Sequence, residues 1–193
     1  MFQSVCEKIV LSGIRKEYIE SEKKDEYLYG MNMFINVCIN IASMLIIGIL
    51  TGMLWECIVF CAVYKIIRKY TGGFHFESSW LCYVSSCIMY LVAMAAIVYI
   101  PFKIFEISAI VLFSSIILWV LSPVEAVNKP LDDCEKRVFK KRSRINIAIM
   151  FLMYVICLFI SNELAYVISI GIISVMLFAV AGKIKNIAHK EKK

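Results

Sequence analysis

The feature that restricts this chain most is a set of six apolar runs, at roughly 31–50, 53–67, 79–100, 104–121, 145–161 and 164–182, each nearly free of charge. Water is a poor solvent for so much apolar surface in a chain of this size, whereas a bilayer accommodates it. Crossing a hydrocarbon core of about 30 Å takes roughly 20 mainly apolar residues as a helix. Composition agrees: 61% of the 193 residues are hydrophobic, against about 45–50% in ordinary soluble domains. The expected fold is an all-α integral membrane protein with about six transmembrane helices, one membrane domain over residues 1–193. The second run is the awkward one. Its 15 residues make only about 22 Å of helix, so the first two runs either cross fully or form a shallow re-entrant pair.

Lys and Arg are retained on the cytoplasmic side of short loops, and here twenty of the 21 fall into four clusters, within 8–24, 65–69, 129–144 and 183–193. Only Lys103 falls on the other side. A multi-pass protein of the cell membrane with both termini in the cytoplasm fits this arrangement. Within it, residues 1–29 form an amphipathic N-terminal segment, 31–182 hold the transmembrane helices, and 183–193 form a basic cytoplasmic tail. Phe2, Val5, Cys6, Ile9, Val10, Ile14 and Tyr18 recur at helical spacing, with Lys8, Arg15 and Lys16 elsewhere on the wheel. This predicts an amphipathic helix lying either in the membrane interface or on the protein's own cytoplasmic face. No signal peptide is expected, since the first residues lack a compact apolar run followed by a small-residue cleavage site. The eight cysteines lie mostly in apolar runs or in segments assigned to the reducing cytoplasm, so free thiols are expected rather than a disulfide framework.

One stretch carries chemistry. Residues 68–87 read Arg-Lys-Tyr-Thr-Gly-Gly-Phe-His-Phe-Glu-Ser-Ser-Trp-Leu-Cys-Tyr-Val-Ser-Ser-Cys. His75 is one of two histidines, and Cys82 follows it after six intervening residues. One helical turn to either side of Cys82 stand Ser78, Ser79, Ser85 and Ser86. Trp80 and Tyr83 have the character of an interfacial belt, which puts Cys82 just inside the cytoplasmic surface. A cysteine nucleophile acts as the thiolate, and a nearby imidazole both takes its proton and stabilises the anion. Continuous helix would hold the two Cα atoms roughly 10 Å apart. His75 is therefore expected on a loop folding back toward Cys82, with Gly72 and Gly73 permitting the bend. The other reading of the same residues is packing, because serines and cysteines at helical spacing are common contacts between membrane helices.

Arg68, Gly72-Gly73-Phe74-His75 and Cys82, followed by Ser122-Pro123-Val124-Glu125, Lys129-Pro130-Leu131 and a basic run, resemble the accessory gene regulator protein B family of quorum-sensing membrane peptidases. The resemblance covers nearly the whole chain. It implies that His75 and Cys82 are the catalytic pair of a cysteine endopeptidase, supported by Arg68 and by Gly73 of the glycine pair. It implies a Gram-positive source, a homodimer, and a small amphipathic propeptide as substrate. In such an enzyme Cys82 attacks the scissile carbonyl to leave a thioester, with His75 acting as base and then as acid. A thiol or hydroxyl within the peptide then takes the acyl group, giving a thiolactone or lactone. Ser78, Ser79, Ser85 and Ser86 are candidate oxyanion donors. The 129–144 loop has seven basic residues against three acidic ones. Lys129, Pro130, Lys140 and Lys141 there either hold an acidic tail of the substrate or serve topology alone.

Two other classes compete. A transporter of a small peptide would place ionisable groups mid-membrane along a pathway, and the helix centres are nearly free of them. A non-catalytic membrane partner would keep its function without Cys82. Cys57 and Cys61 lie four apart, with no further ligand nearby in sequence, so no metal is expected. Nor is any cofactor or nucleic-acid partner, membrane lipid apart.

Overall fold

The computed structural model describes residues 3–16, 18–74, 79–101, 103–125 and 132–191. Seven α-helices follow in order: α1 (Gln3–Arg15), α2 (Lys24–Leu50), α3 (Leu54–Thr71), α4 (Ser79–Tyr99), α5 (Ile104–Leu121), α6 (Asp133–Ile160) and α7 (Asn162–Glu191). Among the described residues the only β-type contact is an isolated parallel bridge between Gly72 and Val124. The fold is all-α, as the apolar runs imply.

Among the described residues five stretches are long and apolar enough to cross a membrane: Ser21–Leu50, Trp80–Tyr99, Ile104–Leu121, Asp133–Ile160 and Asn162–Ala188. The second apolar run becomes α3, which is outside that set because Glu56, Lys65, Arg68 and Lys69 interrupt it. Its role is internal. Cys57, Phe60, Cys61, Val63, Tyr64, Ile67 and Thr71 are buried along it, and it packs against α2, α6 and α7. Half of the apolar window of α7 is also buried, against 11% for α2, so α3 and α7 form the centre and α2 lies toward the lipid.

Polar contacts between helices hold the bundle where apolar lipid offers no competing driving force. Tyr90 donates to Asn40 Oδ1 at 3.0 Å, Ser108 and Tyr154 share a bond of 2.8 Å, and Tyr166 donates to the Ala96 and Ile100 carbonyls at 3.0 and 2.6 Å. Cys6 and Val10 of α1 are buried, and α1 packs on α2, so the amphipathic helix lies on the protein's own surface. Ile9 and Leu11 remain exposed beside it.

Two boundaries differ from the hydropathy reading. Helix α6 starts 12 residues before the apolar run at 145, because Asp132 accepts from the Asp133 N–H at 2.8 Å while Glu135 accepts from the Asp132 N–H at 3.1 Å. This capping box satisfies otherwise orphaned donors and turns the basic segment 133–144 from loop into helix. Helix α7 likewise continues through the basic tail to Glu191.

Candidate functional site

The site forms where α3 ends. Helix α3 closes with the Gly72 N–H bonded to the Arg68 carbonyl at 3.1 Å, and the chain then takes two left-handed steps, at Gly72 (φ 73°) and Gly73 (φ 134°). Glycine alone adopts such backbone without strain. At Gly72 there is a second reason: a Cβ there would stand 2.1 Å from the Val124 carbonyl oxygen. The Val124 N–H donates to the Thr71 carbonyl at 2.8 Å, and the Phe74 N–H to the Phe178 carbonyl on α7 at 2.9 Å. Gly182, one turn on in α7, leaves the room for this crossing, since a Cβ there would lie 2.6 Å from the Phe74 nitrogen. Residues 72–74 are thus wedged between the 122–125 segment and α7.

Arg68 ties this wedge to α3. Its Nη2 donates to the Phe74 carbonyl at 2.6 Å, and its Nη1 donates to the Tyr64 hydroxyl. The guanidinium lies over two rings, 5.3 Å from the centroid of Tyr64 and 4.9 Å from that of Phe178. Both charge-assisted bonds and both ring faces constrain one side chain, so the backbone leading into residue 75 is held on a rigid helix.

Cys82 lies in the first turn of α4, half-buried. Helix α4 runs antiparallel to α7: Tyr166 reaches its far end, and Ser85 shares a groove with Phe178 at its near end. Phe178 also meets Tyr64 edge-on, at 6.1 Å between ring centroids, so α3 and the near end of α4 both border it. Ser85 and Ser86 surround Cys82 as the spacing implies, yet both hydroxyls donate to the Cys82 carbonyl at 2.9 Å. Their protons are committed to the helix backbone, a common habit of serine in helices, which removes them as oxyanion donors in this state. The Tyr64 oxygen accepts from Arg68, so its own O–H is left to donate. Helical spacing from Arg68 could have revealed it; nothing in the sequence marked Phe178 or Gly182.

His75, Ser78, Lys129 and Pro130 lie outside the described residues, as does the side chain of Ser79, whose backbone begins α4. Gly73 lies in the wedge, where a Cβ would stand 3.2 Å from the Phe178 carbonyl oxygen. Lys140 lines a cavity of about 480 Å³ together with Ser122, Lys136 and Arg137, tempered by Glu125 and Asp133. Lys136 pairs with Glu125 at 3.1 Å, and the Ser122 hydroxyl is buried and unpartnered among the described residues. Lys141 is exposed. Arg142 is used differently: it donates to the Tyr70 hydroxyl at 3.2 Å, which holds that phenol below its usual range. Among the described residues no group of three or more metal-ligating side chains comes together.

The family model for accessory gene regulator B matches residues 4–180. The chain belongs to that family. It is 32% identical over 140 residues to an AgrB-like protein of Clostridium perfringens strain SM101, and 30% identical over 140 residues to AgrB-like protein 2 of strain 13. Each alignment covers 69% of this chain but 65% of the relative, so the matched region falls short of two thirds of those proteins. Protein FsrB of Enterococcus faecalis strain OG1RF is 25% identical over 175 residues, covering 86% of this chain and 70% of FsrB. No solved structure matches.

Proposed function

We propose that this protein is a membrane cysteine endopeptidase that cleaves the C-terminal part from a small amphipathic propeptide and promotes its cyclisation to a quorum-sensing thiolactone or lactone. The observation that carries this reading is the Arg68 clamp, which fixes the carbonyl of Phe74, the residue before His75, while Phe74 lines one groove with Ser85, a turn beyond Cys82. A loop merely crossing the membrane surface has no use for such a restraint. A proton-transfer pair does, because misplacement by 1 Å can cost on the order of 10²-fold in rate.

The steps follow from the groups. His75 takes the Cys82 proton, and the thiolate attacks the scissile carbonyl to form the C–S bond. The Tyr64 hydroxyl, polarised by Arg68, donates to the oxyanion. His75 returns the proton to the leaving amine as the C–N bond breaks. An internal thiol or hydroxyl of the peptide then attacks the thioester, closing the ring and restoring Cys82. The cavity at Lys136, Arg137 and Lys140 suits an acidic tail on the departing half. In this reading the protein is one membrane domain with both termini cytoplasmic, working as a homodimer in a Gram-positive cell membrane, with Gly73 and the 129–130 segment supporting the site.

The test is purified protein in liposomes with the product of a short, Cys-containing reading frame beside the gene. Wild type should give a hydroxylamine-sensitive adduct with the N-terminal half of the peptide. Cys82→Ala should give none, and Cys87→Ala, which faces another side of α4, should keep it. Full cleavage by Cys82→Ala would overturn Cys82 as the nucleophile, and absence of cleavage by wild type would return the chain to the class of non-catalytic partner or transporter.

A further inference from the structure

An apolar groove of about 650 Å³ lies between α4, α5 and α7. Its head is made by Phe74, Ser85 and Phe178, and its floor by Ala93 and Ile173. Ile100 and Tyr166 close the far end, where the Tyr166 hydroxyl is bonded to the α4 backbone. From Ser85 to Ile100 the helix rises about 22 Å, so the groove runs from the level of Cys82 deep into the bilayer. The volume is within the roughly 300–1,000 Å³ of ligand sites.

All three head residues belong to the site already described. Phe74 gives its carbonyl to Arg68, Phe178 lies under the Arg68 guanidinium, and Ser85 bonds the Cys82 carbonyl. The 72–74 wedge separates this groove from the basic cavity, whose Ser122, Pro123 and Glu125 flank the Val124 partner of Gly72. A peptide attacked by Cys82 thus has an apolar trough on one side of its scissile bond and a charged pocket on the other. Only one half stays on the enzyme as a thioester, and that half must be kept from water until the ring closes.

We infer that the groove seats the apolar side chains on the acyl side of the scissile bond, making it the specificity pocket of the enzyme. This rests on the peptidase reading. A bilayer acyl chain is the rival occupant, and the continuity of the groove head with the Cys82 turn favours the peptide.

The probes are acetyl, hexanoyl and decanoyl p-nitrophenyl esters, with the full-length protein in one detergent. Attack by the Cys82 thiolate forms a thioester and releases p-nitrophenolate, whose burst gives the acylation rate. If the groove binds the acyl side, the wild-type rate rises with chain length, by up to about four-fold per methylene. Filling the groove with Ala93→Phe from α4 or Ser174→Leu from α7 should collapse the decanoyl-to-acetyl ratio toward one. The ratio is read from whichever variant retains acetyl reactivity. A flat wild-type series overturns the inference. So does a steep series that both variants preserve, since partition into detergent or lipid then explains it. Absence of any Cys82-dependent burst with the acetyl ester strikes instead at the peptidase reading.

Discussion

Gly182→Ala is a one-carbon change in α7, a hundred residues from Cys82, and it should cripple the proposed peptidase activity. The added Cβ would stand 2.6 Å from the Phe74 nitrogen, 2.7 Å from the Gly73 carbonyl carbon and 3.1 Å from the Gly73 Cα. All three are backbone atoms, so no rotamer change relieves the clash; the 72–74 wedge has to withdraw from α7. Withdrawal strains the Phe74-to-Phe178 bond of 2.9 Å and the Arg68-to-Phe74 bond of 2.6 Å. Overpacking costs about 1–3 kcal/mol, and a weakened bond to a charged group adds up to about 1.5–3 kcal/mol. Alanine's better helix propensity returns about 1 kcal/mol. The net loss of stability is therefore about 1.5–5 kcal/mol, while turnover should fall on the order of 10²-fold because the shifted segment leads into His75. Two other glycines calibrate the result. At Gly171 the Cβ would meet the Val63 Cγ1 at 2.8 Å and its Cβ at 3.2 Å, so a stiff β-branched side chain must give at an overpacking cost of about 1–3 kcal/mol, yet no backbone of the 72–74 wedge is displaced. At Gly30 nothing lies within 4 Å, and alanine should stabilise by up to about 1 kcal/mol with full activity. Burst acylation per folded molecule, with the folded fraction taken from thermal melts, compares the three. Gly182→Ala matching Gly30→Ala in activity would refute the reasoning.

Tyr64→Phe keeps the ring contacts to Phe60 and Phe178, at 6.0 and 6.1 Å between centroids, and deletes the hydroxyl alone. Acylation should fall by roughly 10²–10³-fold while alkylation of Cys82 by iodoacetamide is unchanged; equal acylation would pass the donor role to another group. The two basic residues Lys140 and Arg142 should separate. Lys140→Gln should weaken capture of an acidic-tailed peptide, with a loss that shrinks as salt rises and screening shortens to about 8–10 Å. Arg142→Gln should instead raise the titration midpoint of Tyr70, whose hydroxyl loses the bond that lowers it, as followed by ultraviolet difference titration. A Tyr70 midpoint that stays put would mean that Arg142 is free for substrate.

The helices were legible because burial in lipid demands long apolar runs, and those runs survive as α2 to α7. Their inner order was not. Of α2 to α7 it is α3 that lacks a membrane-length apolar window, yet α3 is central because charge at its ends and an apolar stripe through its middle suit protein neighbours better than lipid. The early start of α6 was legible in principle: Asp132-Asp133-Cys134-Glu135 has the spacing of a capping box, which an apolar window cannot register. At the site, spacing around Cys82 located Ser85 and Ser86 but not their protons, and it is the proton that decides whether a hydroxyl can meet an oxyanion. Tyr64 sits four residues before Arg68, the separation at which helix side chains meet, so a hydroxyl beside that arginine could have been read. Gly182 could not. Its meaning depends on which backbone passes it, and that is settled only when the 72–74 wedge, the Val124 strip and α7 meet in three dimensions.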